Sequence, residues 1–378
     1  MDVVPATYPI PIVRSTMAEL RRSLQAFRDR QRGRYAIWVE ELQSGQTIDL
    51  DAREGLPAAA VYHLFLAAYC VAEASAGRLD LSRLVTYEPG DRTAGFGRLQ
   101  QATFGERFSL GQLCQYAIVD GDLTAGRLLR KALDPAALQN WATEIGLDGF
   151  ELEQLSPRQA GALLRLAMRL AEGGVAHGGM LLEWLLTTRH ANWAPRFLPW
   201  SAPTAHLTGA LPQHLHDVGA IFLPRGAYLL AVMSDLRADP RLGVGIDNLA
   251  QIGGIVYRHL RLVEGMLGRI VACGKQLSLP RPVALLDGKP TLDATGAALA
   301  LGARLEQDAL TGSVTLTRGL QRVTLSQDVP VMGGTERPLP FAPFTFEGEL
   351  ILPLLPVAAA LGRRLDWDAE RNLAHLHG

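Results

Sequence analysis

The chain has 378 residues, a formal net charge of −1 and 48% hydrophobic residues, long enough for one large domain or for two. Near-neutral charge without a basic stripe excludes nucleic-acid or membrane-surface binding driven by bulk electrostatics. No run of about 18 apolar residues is available to span a bilayer, and Met1 to Val13 has neither the basic start nor the apolar centre of a signal peptide.

The first element is a helix: Thr16 and Glu19 form a capping-box pattern, and Leu20, Leu24 and Phe27 follow at helical spacing. The arginines from Arg28 to Arg34 at its end read as a solvated face. Tyr35 to Glu41 alternates and is rich in strand formers. Ser44-Gly45 marks a turn and Thr47 to Leu50 a second strand, which together predict a hairpin. Pro57 to Ser75 is almost wholly apolar over a helical length and should be a buried helix. Residues 109 to 132 and 156 to 172 read as further helices. Ser109 and Ser156 stand at N-cap positions, the latter followed by Pro157. Strand signals return at Ala205 to Thr208, Asp217 to Leu223 and Tyr228 to Ser234, and Asp239 opens a long helix reaching about Met266. This order predicts an α+β fold, an antiparallel sheet flanked by helices with a helical subdomain.

Composition shifts after residue 267. Residues 275 to 378 carry a weak repeat with a period of about 60 residues. One copy runs Pro282-Val283, Asp287-Gly288, then Ala297 to Leu305; the other runs Pro343-Phe344, Glu347-Gly348, then Ala358 to Leu365 and Asp366-Trp367-Asp368. Each predicts a strand pair, a short helix ending at Gly302 or Gly362, and another strand, with the glycine in the left-handed conformation of a helix C-terminus. The expected domains are therefore residues 15–267 and 268–378. The cysteines Cys70, Cys114 and Cys273 have no metal-binding spacing. Free buried thiols are expected, with a Cys70–Cys114 bridge as the alternative.

Residues from about 18 to 262 resemble the serine β-lactamase and D-Ala-D-Ala peptidase superfamily, most closely its class A branch. The resemblance rests on 35–46 (YAIWVEELQSGQ), 77–81 (GRLDL), 85–87 (VTY), Leu211-Pro212, 217–221 (DVGAI) and 228–235 (YLLAVMSD), which occur in the family's order. It implies three catalytic motifs. Where the family has S-x-x-K, the frame PAAAVYH puts Ala60 at the serine position and His63 at the lysine position. Where it has S-D-N, this chain reads Gly121-Asp122-Leu123, and where it has K-T-G it reads Leu207-Thr208-Gly209. Removing the nucleophile of a serine hydrolase costs roughly 10⁶ in turnover, so no catalytic residue is expected. The amides of Ala60 and Ala210 could still form an oxyanion-type pair, because that device uses main chain. With Tyr62, His63, Asp122 and Thr208 they make up the expected binding residues. Glu151 and Glu153, in place of the family's deacylating glutamate loop, read as a solvated turn.

Residues 352–368 (LPLLPVAAALGRRLDWD) resemble the copper amine oxidase N-terminal-like module found as tandem repeats in bacterial surface proteins. No residue in either copy suggests copper or quinone chemistry, and no cofactor is expected. His206, His214 and His216 raise the question of a zinc site, since His-x-His puts two rings on one strand face. A polar turn accounts for them as well, as it does for His375 and His377, so no metal is expected.

The expected function is that of a catalytically inactive β-lactamase-like protein with a binding, scaffolding or cell-envelope role, its partner a protein or a peptidoglycan-type peptide. The alternatives are an esterase or amidase using Tyr62, His63 or Asp122, and a peptidoglycan-binding envelope protein. The resemblance implies export to the cell envelope if a signal peptide has been trimmed; with none visible in the sequence, the alternative is a cytoplasmic protein.

Overall fold

Strand formers along residues 34–50 produce a hairpin in the computed structural model, which describes residues 16–189, 193–198, 202–223, 226–263, 269–272, 275–280, 283–286, 289–308, 310–333, 338–346, 349–368 and 373–377. The expected alternation of Tyr35 to Glu41 is absent, since Tyr35 to Glu40 are all buried in a strand covered on both faces. Met1 to Val13, Met266, Cys273, Pro282, Asp287-Gly288 and Glu347-Gly348 lie outside the described residues. The chain divides into two compact units. One is Gln25–Gly254; the other runs from Ile255 onward and includes the residues up to Leu24.

The elements up to the long helix are α1 (Met17–Arg28), β1 (Arg34–Glu41), β2 (Thr47–Leu50), β3 (Leu56–Pro57), α2 (Tyr62–Ser75), β4 (Leu84–Thr86), β5 (Arg107–Ser109), α3 (Leu110–Val119), α4 (Leu123–Ala132), α5 (Pro135–Glu144), β6 (Gln154–Leu155), α6 (Pro157–Glu172), α7 (Met180–Leu186), β7 (Thr204–Leu211), β8 (His214–Leu223), β9 (Gly226–Asp235) and α8 (Leu242–Val263). At the head of α1, the Glu19 amide donates to the Thr16 hydroxyl at 3.1 Å, and Leu20, Leu24 and Phe27 are all buried. The expected antiparallel sheet is present, in the order β2-β1-β9-β8-β7. In the β1–β2 turn, Gly45 has φ +68, the left-handed region glycine enters at no steric cost.

α2 forms the centre of the core because nearly every face of it is apolar. Leu64, Phe65, Leu66, Cys70 and Val71 are buried in one cluster with Leu113, Leu128, Leu163 and Leu185 from the surrounding helices. Phe65 stacks on Phe150 at 4.0 Å and meets the edge of Trp141 at 5.2 Å. Full burial of each such side chain is worth about 1.5–3 kcal/mol. Cys70 and Cys114 are both buried free thiols.

Ser109 and Ser156 cap α3 and α6 in complete capping boxes with Gln112 and Gln159, and Pro157 occupies the first turn of α6. The single helix expected over 109–132 is instead two. The chain breaks at Asp120-Gly121-Asp122, where Gly121 has φ +61 and Asp122 caps α4. A glycine followed by an N-cap residue stops one helix and starts another.

In the other unit, the repeat forms the four-stranded antiparallel sheet β10-β11-β13-β12, with β10 (Ala284–Leu286), β11 (Lys289–Asp293), β12 (Phe344–Phe346) and β13 (Glu349–Pro353). The two copies meet through β11 and β13, where Leu292 pairs with Leu352, its counterpart in the second copy. Each copy continues into a short helix, α9 (Ala294–Leu301) and α10 (Leu354–Ala360), followed by Gly302 at φ +64 and Gly362 at φ +66, the conformation expected of both. Leu292, Leu301, Leu352 and Leu361 share one core. Arg258 of α8 belongs to this unit: it is buried, pairs with Asp328 at 2.6 Å and lies over the Phe344 ring at 5.4 Å.

Candidate functional site

The turn that opens α2 is anchored by main chain and approached by strand. The Ala58 amide donates to the Glu153 carbonyl at 2.9 Å, and β3 pairs with β6 just beyond it. The His216 ring donates its Nε2–H to the Pro57 carbonyl at 2.7 Å. Between these anchors Ala59 has φ +47, a left-handed conformation that costs a non-glycine residue roughly 1–2 kcal/mol. A Cβ on Gly209 would come within 3.0 Å of the Ala60 nitrogen and 3.1 Å of the Ala59 Cβ. Glycine at 209 is what lets β7 lie directly against the turn.

β7 is an edge strand. Its residue Ala210 pairs with Leu215 of β8, and Leu215 turns both its amide and its carbonyl to the Ser234 hydroxyl, at 3.1 and 2.7 Å. Ala210–Leu215 is thus a non-hydrogen-bonded pair, and the Ala210 N–H points off the free edge of the sheet. Ala60 and Ala210 both line a cleft of about 820 Å³. The Ala210 N–H therefore borders a concave space beside the α2 turn, where a main-chain donor can hold a carbonyl or carboxylate oxygen.

The expected binding residues do not all reach this cleft. Ala60, Tyr62 and Ala210 line it; His63, Asp122 and Thr208 do not. The His63 ring is wholly buried, with Nδ1 at 3.0 Å from the Ala117 carbonyl of α3 and Nε2 without a partner against Gly126 of α4. Burial lowers its pKa to about 4, so it is a neutral core imidazole. The Asp122 carboxylate is also buried, accepting the Leu99 amide at 2.8 Å and the Ala125 amide at 3.0 Å as the cap of α4. Burial raises its pKa against the pull of those amides. Thr208 is half-buried, and Leu207 packs into the core with Ala205 and Val218. Of the Gly121-Asp122-Leu123 stretch, Leu123 alone faces the cleft.

Sequence reasoning missed the remaining polar wall: Asp91 and Thr93 from the segment between β4 and β5, Arg127, Arg130 and Lys131 of α4, and Glu153. Lys131 pairs with Glu88 at 2.5 Å and Asp91 at 3.1 Å, and Arg130 with Glu153 at 2.5 Å. Glu153 sits in an exposed turn as expected, but that turn borders the cleft. The signal was present, since Leu123, Arg127, Arg130 and Lys131 recur at helical spacing on one face.

The histidines considered for zinc are engaged elsewhere. His216 accepts the Ser234 amide at 3.1 Å as well as contacting Pro57, and burial lowers its pKa to about 4. His214 contacts the Ser234 carbonyl at 2.9 Å, and His206 contacts Asp217 at 3.1 Å. Among the described residues no group of three or more histidines, cysteines and carboxylates could hold a metal ion. In the second unit, His377 contacts Asp366 at 2.8 Å. The described residues there do not fit a copper centre.

An antiparallel sheet packed by helices, with a buried helix opening beneath its edge strand, defines the β-lactamase and penicillin-binding-protein fold. Residues 19–260 match the model of the beta-lactamase enzyme family, and residues 272–376 match that of the copper amine oxidase N-terminal domain. The chain belongs to the beta-lactamase enzyme family, with a copper amine oxidase N-terminal domain following. Among solved structures it is similar to PBP-A, at 24% identity and a TM-score of 0.57, covering 66% of this chain and 98% of that one. A point mutant of PBP-A, solved as an acyl-enzyme complex with penicillin G, matches at 23% identity and a TM-score of 0.56, covering 65% and 98%. A beta-lactamase from Sphaerobacter thermophilus DSM 20745 matches at 19% identity and a TM-score of 0.55, covering 65% and 97%. At these identities the likeness is one of fold. No curated protein matches the chain. Among the described residues, no helix is long and apolar enough to cross a membrane.

Proposed function

We propose that this chain is a non-acylating member of its family. On this reading, residues 15–267 keep the cleft as a binding surface, and residues 268–378 hold the protein at the cell envelope. The observation that carries the reading is the side chain at the apex of the α2 turn. Ala60 lines the cleft, and a methyl group has no lone pair with which to attack a carbonyl. The neighbouring Tyr62 hydroxyl has no hydrogen-bonded base among the described residues to take its proton, and burial raises its pKa. His63, at the position of the family's helix lysine, is a core imidazole, and Leu207, at the position of its strand lysine, is a core side chain. The ligand on this reading is a peptidoglycan-type peptide or a protein segment, and binding it requires no cofactor.

Intact-mass measurement after incubation with a fluorescent penicillin tests the proposal. The native chain and Ala60→Ser are both expected to keep their unmodified mass, since a serine at 60 would find neither a strand cation nor a free base. A stoichiometric adduct on a cleft residue of the native chain would refute the reading. Sedimentation of the full chain with purified cell wall tests the envelope role; a chain that stays in the supernatant would overturn it.

A further inference from the structure

α4 turns its cations toward the cleft, and they are not equally engaged. Lys131 is neutralised by Glu88 and by the buried Asp91. Arg130 has Glu153, whose side chain is 74% exposed, and an ion pair that open to water contributes little and exchanges readily. Arg127 is exposed, lines the cleft, and makes no hydrogen bond, ion pair or ring contact among the described residues. The two guanidinium groups lie one helical turn apart, a spacing that puts them side by side. A planar guanidinium fork matches the paired oxygens of a carboxylate or phosphate. Beside them the cleft offers Leu123, Leu152 and Leu211, with Pro57 and the alanines of the α2 turn.

We infer that the cleft takes a small amphiphile whose oxyanion head is held by Arg127, with Arg130 in support, and whose aliphatic body lies on Leu123, Leu152 and Leu211. The inference rests on the cleft being a binding surface, as proposed above, and goes beyond that reading by giving it a small-molecule ligand. It moves anion recognition from the strand wall, where Leu207 is buried in the core, to the helix wall. Arg130 reaches the ligand by exchanging its exposed pair with Glu153. Arg127 has no partner to leave, so it contributes the larger share of the affinity. Neither group makes or breaks a covalent bond.

The probes are 4-methylpentanoate, isopentyl phosphate and the neutral 4-methylpentanamide, titrated by calorimetry into the full chain and into Arg127→Gln, with Arg53→Gln as a control. Arg53 is exposed and lies outside the cleft lining. One or both anions are expected to bind, and to bind more tightly than the amide. Arg127→Gln should lose about tenfold or more of that affinity, the scale of a charge-assisted hydrogen bond, while keeping the parent's melting temperature. Arg53→Gln should match the parent. A preference for the carboxylate would identify the head group as an acid, and a preference for the phosphate as a phosphomonoester; each supports the inference. Equal affinity for the amide, unchanged affinity in Arg127→Gln, or no binding of any probe would overturn it. The mass experiment fails or succeeds separately: a penicillin adduct would sink the non-acylating reading and leave the Arg127 result standing.

Discussion

The buried position of the His63 ring makes a sharp prediction at the glycine facing it. A Cβ added at Gly126 would fall 2.1 Å from His63 Nε2, 2.4 Å from its Cδ2 and 2.9 Å from the Tyr62 hydroxyl. Unstrained contacts of this kind lie near about 3.5 Å, so the ring or α4 must move by more than ~1 Å. The ring cannot retreat freely, because its Nδ1 is held by the Ala117 carbonyl. Overpacking in a dense core costs about 1–3 kcal/mol, and a displacement this large belongs at or above the upper end. Replacing a helix-interior glycine by alanine returns about 1 kcal/mol. Gly126→Ala should therefore lose about 2 kcal/mol, equivalent to roughly 4–8 °C in Tm for a domain of this size. Urea and thermal unfolding of the full chain should be measured for Gly126→Ala, His63→Ala and the double variant. The double variant is expected to be more stable than the sum of the single effects by about 1 kcal/mol or more, because the new methyl enters space the ring has left. Parental stability in Gly126→Ala, or strict additivity, would refute the placement of His63 between α2 and α4.

Acid sensitivity should follow from the same burial. His63 and His216 titrate at about 4 in the folded chain because burial disfavours the imidazolium, against about 6.5 when unfolded. The unfolded chain binds more protons between those values, so this stability is complete above about pH 6.5 and falls as pH drops toward 4, on the order of 3 kcal/mol per histidine. His63→Gln and His216→Gln should each reduce the stability difference between about pH 7 and about pH 5 in urea unfolding; a difference equal to the parent's would count against it. In the second unit, Asp328→Ala leaves Arg258 buried without its carboxylate and should cost about 3–5 kcal/mol, part of which Arg258→Met in the same chain restores. Chemical denaturation checks this, and a double variant less stable than Asp328→Ala would contradict it.

Much of the fold was legible because its determinants are local. Ser109 and Ser156 each sit three residues before a glutamine that closes a capping box, a geometry that needs no distant partner. The β1–β2 hairpin is written in a run of strand formers and in Gly45. Gly302 and Gly362 end their helices in the left-handed conformation for a reason contained in the glycine itself. The break between α3 and α4 was missed although Gly121 and Asp122 carry it, since an apolar pattern running through both helices masked the stop. Of the positions that the family resemblance marked, Ala60, Gly209 and Ala210 lie where strand and turn meet.

What the sequence by itself determined was therefore the opening hairpin, the capped helix starts, the closing strands and their order, and the alanine at the head of the buried helix. What only the tertiary structure decided was which side chains see the cleft. His63 and Asp122 were candidates by position, yet packing turned one between two helices and gave the other to the amides of Leu99 and Ala125. Arg127, Arg130 and Lys131 were passed over, yet the orientation of α4 placed all three on the wall. A residue's type and spacing record which face of a helix it occupies, but whether that face meets core or cleft depends on neighbours far away in the chain, and that information is present only once they have packed.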